Sequence, residues 1–323
     1  MRIYRNPTEV PDGFGPSALT IGNFDGVHVG HRQILRKLRS LASERGWKAV
    51  PLTFDPHPTR VVAPARAPRL LSTPARRAQL MAQEGIEDVV ILPFTRELAM
   101  LSPEEFVRDL LVERFGARAV LVGDNFRFGH RQAGNVEVLA ELGRKYGFET
   151  IVVPAVTQRG RIVSSSVVRE LIAGGKVALA ARLLDRPYAL QGDVVSGRGV
   201  GSKQTVPTLN LATEAEVIPA NGVYVTRTRD REGVRVWNSI TNIGLRPTFG
   251  ASEELSIETF LLEPMGGETP RRIQVEFLWR VRDERKFETP EALKQQILRD
   301  VRVAQTYFRR AGAWVGRIPC ASS

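Results

Sequence analysis

The distribution of apolar residues changes character once along this 323-residue chain. In the first half, short apolar runs alternate with stretches whose apolar positions recur at helical spacing. Residues 18–21 read as a buried strand, Gly22 and Gly26 mark a tight turn, and Ile34, Leu35, Leu38 and Leu41 then repeat with the period of a helix. Residues 48–54, 88–92, 119–123 and 150–154 read as further strands. Between them, helices are expected over 75–84, 104–114 and 136–146, the second opened by the capping box Ser102-Pro103-Glu104-Glu105 and the third capped by Asn135. Phe54-Asp55-Pro56-His57-Pro58 carries two prolines, which should end regular structure and open a Pro- and Arg-rich loop to about Thr73. Strands alternating with helices imply a parallel sheet covered on both faces. Ser164-Ser165-Ser166, a helix over 167–173, a Gly174-Gly175 break and a short helix to Leu184 close this half.

From Pro187 the helical period disappears. Segments rich in β-branched residues (188–195, 222–228, 234–240, 256–262 and 273–281) follow one another between Gly, Pro and Asn turns, the pattern of an antiparallel barrel. Thr289-Pro290-Glu291 then opens a helix whose Leu293, Ile297, Val301 and Ala304 form one stripe, suited to covering a side of that barrel. The fold class is therefore α/β plus all-β, with a parallel-sheet domain over 1–185 and a barrel with a C-terminal helix over 186–323. Two domains also suit the length.

Composition narrows the partners. The chain is 42% hydrophobic and 25% charged, with no apolar run long enough to span a bilayer and no leader-like start. A membrane role is not expected. The single cysteine, Cys320, permits no internal disulfide, which fits the cytoplasm. The formal charge of +11 invites a polyanion, yet arginines are dispersed among acids and no basic stripe or tail forms, so nucleic acid is not expected either. Small phosphorylated ligands account for the charge.

The turn at 22–31 is the strongest chemical signal. A glycine turn between strand and helix offers backbone N–H groups and the positive end of a helix dipole to a phosphate. His28 and His31, three positions apart, can face the same anion and donate hydrogen bonds to charge developing on phosphorus; alternatively, one binds the ligand and the other caps or packs. The three serines at 164–166 form a second candidate phosphate site. In the second half, Thr208 and Asn210 point to the same face of an incipient strand, and Glu258 stands inside a strand, where a carboxylate is disfavoured unless it faces solvent or performs chemistry.

Taken together, Gly22-Asn23-Phe24-Asp25-Gly26-Val27-His28-Val29-Gly30-His31, Phe54-Asp55-Pro56-His57-Pro58, Val122-Gly123-Asp124-Asn125-Phe126-Arg127-Phe128-Gly129, Val163-Ser164-Ser165-Ser166, Arg186-Pro187-Tyr188, Pro207-Thr208-Leu209-Asn210 and Asn242-Ile243-Gly244-Leu245-Arg246-Pro247-Thr248-Phe249 resemble, in order, the bifunctional prokaryotic FAD synthetases. The resemblance runs from about residue 15 to 308. It implies riboflavin phosphorylation to FMN in the second domain and adenylylation of FMN to FAD in the first, with ATP, riboflavin and FMN as substrates and Mg²⁺ as cofactor. By the same resemblance, His28 and His31 stabilise the adenylyl transition state, Gly22, Asn23 and Asp25 shape the ATP cradle, Ser164, Ser165 and Arg169 hold phosphates, and Asn125 approaches the flavin. Asp55 and His57 are weaker candidates. For the kinase it implies a phosphate loop at Gly197, Gly199 and Gly201, metal ligands at Thr208 and Asn210, and Glu258 as general base.

Departures from the family pattern gather in the second half. Thr205-Val206-Pro207-Thr208-Leu209-Asn210 replaces Gly-Phe-Pro-Thr-Ala-Asn, Glu258-Thr259-Phe260 replaces Glu-x-His, and Gly266-Gly267-Glu268-Thr269-Pro270 replaces a Leu-Tyr-Gly turn. A chain retaining only the adenylyltransferase, with a barrel that binds flavin without catalysis, is the alternative. A relationship to tRNA synthetases, which share a His-x-Gly-His turn, lacks the accompanying basic signature loop.

Overall fold

A computed structural model describes residues 1–158, 160–195, 208–230, 233–247 and 253–315. The chain forms two compact units, Met1–Val167 and Val168–Ser323.

The first unit is built on a six-stranded parallel sheet: β1 (Arg2–Tyr4), β2 (Ser17–Ile21), β3 (Lys48–Asp55), β4 (Asp88–Pro93), β5 (Ala117–Gly123) and β6 (Glu149–Val153), in the order β1-β4-β3-β2-β5-β6. Every residue of β2 is buried, as expected of a strand covered on both faces. Helix α1 (Val29–Arg45) packs on β2 and β3, burying Leu35, Leu38 and Ala42, and ends on Gly46 in the left-handed region. The apolar cluster on that face also takes Leu80 and Met81. On the other face, Phe106, Val107 and Leu111 pack with Leu139.

Several short elements differ from expectation. Pro58 does not end regular structure but opens α2 (Pro58–Val62), with His57 as its N-cap, because the first helical position needs no N–H. Helix α3 (Pro74–Gln83) likewise starts on a proline, with Thr73 as its cap. The five-residue α4 (Arg96–Met100) is too short to leave a periodic signal. The capping box at Ser102 is present and opens α5 (Pro103–Glu105), but residues Phe106–Arg114 continue it in π-helical form. Asn135 caps α6 (Val136–Tyr146), which ends on Gly147. A small hairpin of β7 (Thr157–Gln158) and β8 (Arg161–Ile162) precedes α7 (Ser165–Ala173).

In the second unit, α8 (Val177–Leu184) packs on a closed antiparallel barrel. Its strands are β9 (Tyr188–Val195), β10 (Thr208–Ala212), β11 (Gly222–Asp230), β12 (Val236–Pro247), β13 (Glu253–Leu261) and β14 (Arg272–Asp283), ordered β10-β13-β12-β11-β14-β9. The barrel interior carries a ladder of buried hydroxyls. Thr226 bonds Ser239 and Thr241 at 2.8 Å each, and Thr241 bonds Thr259 at 2.9 Å. These groups satisfy one another, which is what burying them requires. Outside, α9 (Pro290–Val315) lies over Val223, Val225 and Ile240 through Val301, Ala304 and Phe308. Of the expected stripe, Leu293 is 42% exposed, whereas Gln296 and Asp300 are buried. The first turns face arginines instead of the apolar barrel wall: Arg282 donates to Asp300 Oδ2 at 2.7 and 2.9 Å.

Candidate active site

At the carboxyl ends of β2 and β5 the strand order of the parallel sheet reverses, the place where such sheets form a crevice for ligands. The turn leaving β2 fills it and is held in an unusual backbone conformation. Phe24 has φ +48° and Val27 φ +40°. Each such residue costs about 1–3 kcal/mol and persists only where its surroundings over-determine it. Here they do. Phe24 and Val27 are buried in the α1-side cluster, and Val27 N donates to Phe24 O at 3.0 Å. The Asp25 carboxylate accepts from Leu71 N, Ser72 N (3.0 Å each) and Ser72 Oγ (3.1 Å). Gly26 N donates to Ser72 Oγ at 2.9 Å, and Ser165 Oγ donates to Asp25 O at 2.8 Å. Gly26 itself has φ +76°, and a Cβ there would stand 2.8 Å from Leu71 Cδ1, so glycine is required twice over.

This clamped turn delivers the histidines to the start of α1. His28 is the N-cap, its Nδ1 accepting from His31 N at 3.4 Å. The two imidazoles stack, centroids 3.7 Å apart and planes 17° apart, and Phe24 meets the His31 ring edge-on at 5.1 Å. The stacking is possible because residue 30 lacks a side chain: a Cβ on Gly30 would lie 3.2 Å from the His28 ring. His28 caps the helix and, like His31, also lines the cleft. Glu84 fixes α1 against α3, accepting from Arg32 at 2.5 Å and Arg36 at 2.8 Å.

The cleft has a volume of about 1090 Å³ and is confined to the first unit. Gly22, Asn23, His28 and His31 line it from the turn, Asn125 from the loop after β5, and Ser164 and Ser165 from the start of α7. Asp25 does not line it; its carboxylate faces the backbone at residues 71–72. Arg169 stands one helical turn beyond Ser165, in the second compact unit. His57 spends its Nδ1 on capping α2, accepting from Thr59 N at 3.2 Å. Opposite in character to the polar turn, Val62, Met100 and Ile162 line the same cleft although each is more than 60% exposed. Apolar side chains left in water around a polar anion cradle suit a ligand with a phosphate end and a flat aromatic end.

In the barrel, Gly197, Gly199 and Gly201 lie outside the described residues, as do residues 205–207. Asn210 and Glu258 are direct cross-strand partners, Glu258 is also the partner of Asn242, and Thr208 pairs with Phe260. One face thus presents Asn242, Glu258 and Asn210 in a row across three strands, with Thr208 beside them. Ser256 Oγ donates to Glu258 Oε1 at 3.1 Å. Sequence reading gave Ser256 no place in the site and quoted Asn242 only within a motif, because their positions beside Glu258 depend on strand register and side-chain contact. Phe260, where the family pattern has histidine, packs with Val225, Ile240 and the α9 side chains, so the departure serves the helix–barrel contact. Among the described residues, no cluster of three or more His, Cys, Asp or Glu side chains forms a metal cage. Oxygen donors such as Thr208 and Asn210 nonetheless fit Mg²⁺, which keeps waters and phosphate oxygens in most of its shell.

The FAD synthetase family pattern matches residues 12–167 and the riboflavin kinase pattern residues 184–308. A bifunctional riboflavin kinase/FMN adenylyltransferase of Pseudomonas fluorescens is 37% identical over 88% of this chain and 91% of its own. Its Escherichia coli K12 counterpart is 34% identical over 90% and 92%. A solved Streptococcus pneumoniae chain described as a macrolide-efflux protein superposes with a TM-score of 0.83 at 26% identity, over 94% of this chain and 98% of that one. Among the described residues, no helix of this chain is long and apolar enough to cross a membrane.

Proposed function

Because the chain belongs to the bifunctional riboflavin kinase/FMN adenylyltransferase family, we propose that it makes FAD in two ATP-dependent steps at two separate sites, adenylyl transfer in residues 1–185 and riboflavin phosphorylation in residues 186–323. In the first, a phosphate oxygen of FMN attacks the α-phosphorus of ATP and the bond to the β-phosphate oxygen breaks, releasing pyrophosphate. The observation that carries this assignment is the stacked His28–His31 pair at the N-terminus of α1, set in a cleft that also offers apolar walls. Such chemistry asks the protein for positioning and charge stabilisation rather than a covalent intermediate. His28 and His31 donate to the oxygens on which charge builds, the Gly22–Asn23 backbone and the serines at 164–165 hold the phosphate chain, and Asn125 reaches the flavin phosphate end. Asp25 acts at one remove, by fixing the turn.

In the second step, Glu258 takes the proton of the ribityl 5′-hydroxyl as that oxygen attacks the γ-phosphorus of ATP, and ADP leaves. Ser256 orients the carboxylate. Thr208 and Asn210 would hold Mg²⁺, which supplies charge neutralisation on the phosphates, and the glycines at 197, 199 and 201 would admit those phosphates close to the backbone. Both steps belong in the cytoplasm, where a chain whose one cysteine cannot form an internal disulfide needs none.

The test is direct. Purified protein given riboflavin, ATP and Mg²⁺ is followed by chromatography, with FMN appearing first and FAD after it. Riboflavin left unphosphorylated while added FMN becomes FAD would overturn the two-site reading.

A further inference from the structure

Arg77 is the largest fully buried side chain among the described residues, 1% exposed, and it lies directly under the histidine turn. Helix α3 delivers it on the same buried face as Ala78, Leu80 and Met81. Its Nη1 donates to three oxygens: Asn23 O at 2.8 Å, Thr53 Oγ1 at 2.8 Å and Phe54 O at 3.2 Å. Thr53 Oγ1 in turn donates to Asn23 O at 3.0 Å. One nitrogen thereby ties the turn leaving β2 to the end of β3. Nε and Nη2 have no hydrogen-bond partner among the described residues. Burial pulls the guanidinium below the ordinary arginine pKa, while Asp25 and Asp55 act against that fall. Arginine keeps its charge under such conditions.

A neutral donor would suffice to hold two carbonyls and a hydroxyl. A full cation there leaves two donor nitrogens without a partner, and the carboxylates of Asp25 and Asp55 offset only part of the cost of burying it. The charge that remains lies behind Asn23, where the turn faces the cleft. In a buried, low-dielectric setting, a positive charge beneath an anion cradle is felt strongly at the anion. We propose that Arg77 is a positioning residue for adenylyl transfer, fixing Asn23 and the end of β3 in one arrangement and lending a buried positive charge to the cradle that receives the phosphates of ATP. The proposal rests on assigning this turn to adenylyl transfer, so the experiment separates the two.

Full-length Arg77→Met, Arg77→Gln and Arg77→Lys are compared for FAD formation from FMN, with riboflavin phosphorylation by the same preparation as an internal reference. Arg77→Met should lower kcat/KM for ATP in FAD formation about 100-fold, the scale of a small misplacement of reacting groups, with part of the loss in KM for ATP and with FMN formation within about twofold of wild type. Arg77→Lys, which keeps the charge and one donor, should recover to within about tenfold of wild type. Arg77→Gln, which keeps a donor without charge, should not. FAD formation by Arg77→Met within threefold of wild type, or equal rates for the Gln and Lys variants, overturns the proposal. Should Arg77→Met fail to fold, folded Arg77→Gln and Thr53→Val decide: a full adenylylation rate in either overturns it, and a lowered rate with unchanged FMN formation supports it. His28→Ala runs in parallel, since full FAD synthesis by that variant overturns the assignment of the turn itself, whatever Arg77 does.

Discussion

Removing the charge of Asp25 probes what holds the histidine turn in shape. The carboxylate accepts three hydrogen bonds, two from the backbone amides of Leu71 and Ser72 and one from Ser72 Oγ. It is 1% exposed, so no water replaces a lost partner. In Asp25→Asn, one side-chain oxygen becomes an NH₂ donor aimed at an N–H donor, so at least one buried amide loses its acceptor. An unsatisfied buried donor costs about 1–3 kcal/mol, and hydrogen bonds to a charged acceptor are worth about 1.5–3 kcal/mol. With some relaxation, a loss of about 2–4 kcal/mol follows. At about 1.4 kcal/mol per factor of ten, hydrogen exchange of the Leu71 and Ser72 amides should accelerate at least about 30-fold. The strained φ values at Phe24 and Val27 would then relax, and FAD formation should fall with it while riboflavin phosphorylation persists. Exchange at both amides within threefold of wild type, with an unchanged urea midpoint for adenylyltransferase activity, would refute the clamp.

His31→Ala should cut FAD formation from FMN about 100-fold or more, as loss of a donor to developing charge does, and leave FMN formation intact; paired assays on one preparation check it. Glu258→Gln should stop FMN formation and spare FAD formation from added FMN, and Ser256→Ala should lower kinase kcat several-fold without that split in the adenylyltransferase. Tyr224, fully buried in the barrel, is pushed up to about 12 by burial, with Arg280 acting in the opposite sense. Because the folded state holds that proton more tightly than the unfolded chain, whose tyrosine loses it near pH 10, the associated stability is intact below pH 10 and is lost as pH rises toward about 12. Urea midpoints of the kinase activity should therefore fall over that range, and less steeply in Tyr224→Phe.

The order of strands and long helices was legible because it is written in local periodicity. What escaped reading is short or depends on distant partners. Strand β1 has only three residues and exists because Arg2, Ile3 and Tyr4 pair with β4, with Arg2 also gripping Asp88 at 2.7 and 2.8 Å. Helices α2 and α4 span little more than one turn each, below the length at which a repeat shows. Pro58 misleads for a physical reason: the same missing N–H that forbids a helix interior costs nothing at its first position. Leu293 misleads because α9 begins beyond the apolar wall, where Arg282 calls for Asp300 instead of a leucine.

The candidate sites divide along the same line. Residues proposed to meet a ligand sit in motifs with local backbone signatures, glycines and histidines at fixed offsets, and most of those assigned to the first site line one cleft. Residues that hold those residues in place come from elsewhere in the chain: Ser72 is 47 positions from Asp25, Arg77 is 54 from Asn23, and Asn242 meets Glu258 only through strand register. One of them still left a trace. Arg77 shares the buried face of α3 with Ala78, Leu80 and Met81, so a charge stands at a core position of an otherwise amphipathic helix. Aliphatic side chains occupy such positions unless a buried charge has work to do, and this one faces the carbonyl of a turn whose neighbours are already in strained conformations. The strain and the buried cation therefore belong to one arrangement: the outer side of the bent turn lines the cleft, and Arg77 holds the inner side that the bend leaves facing the core.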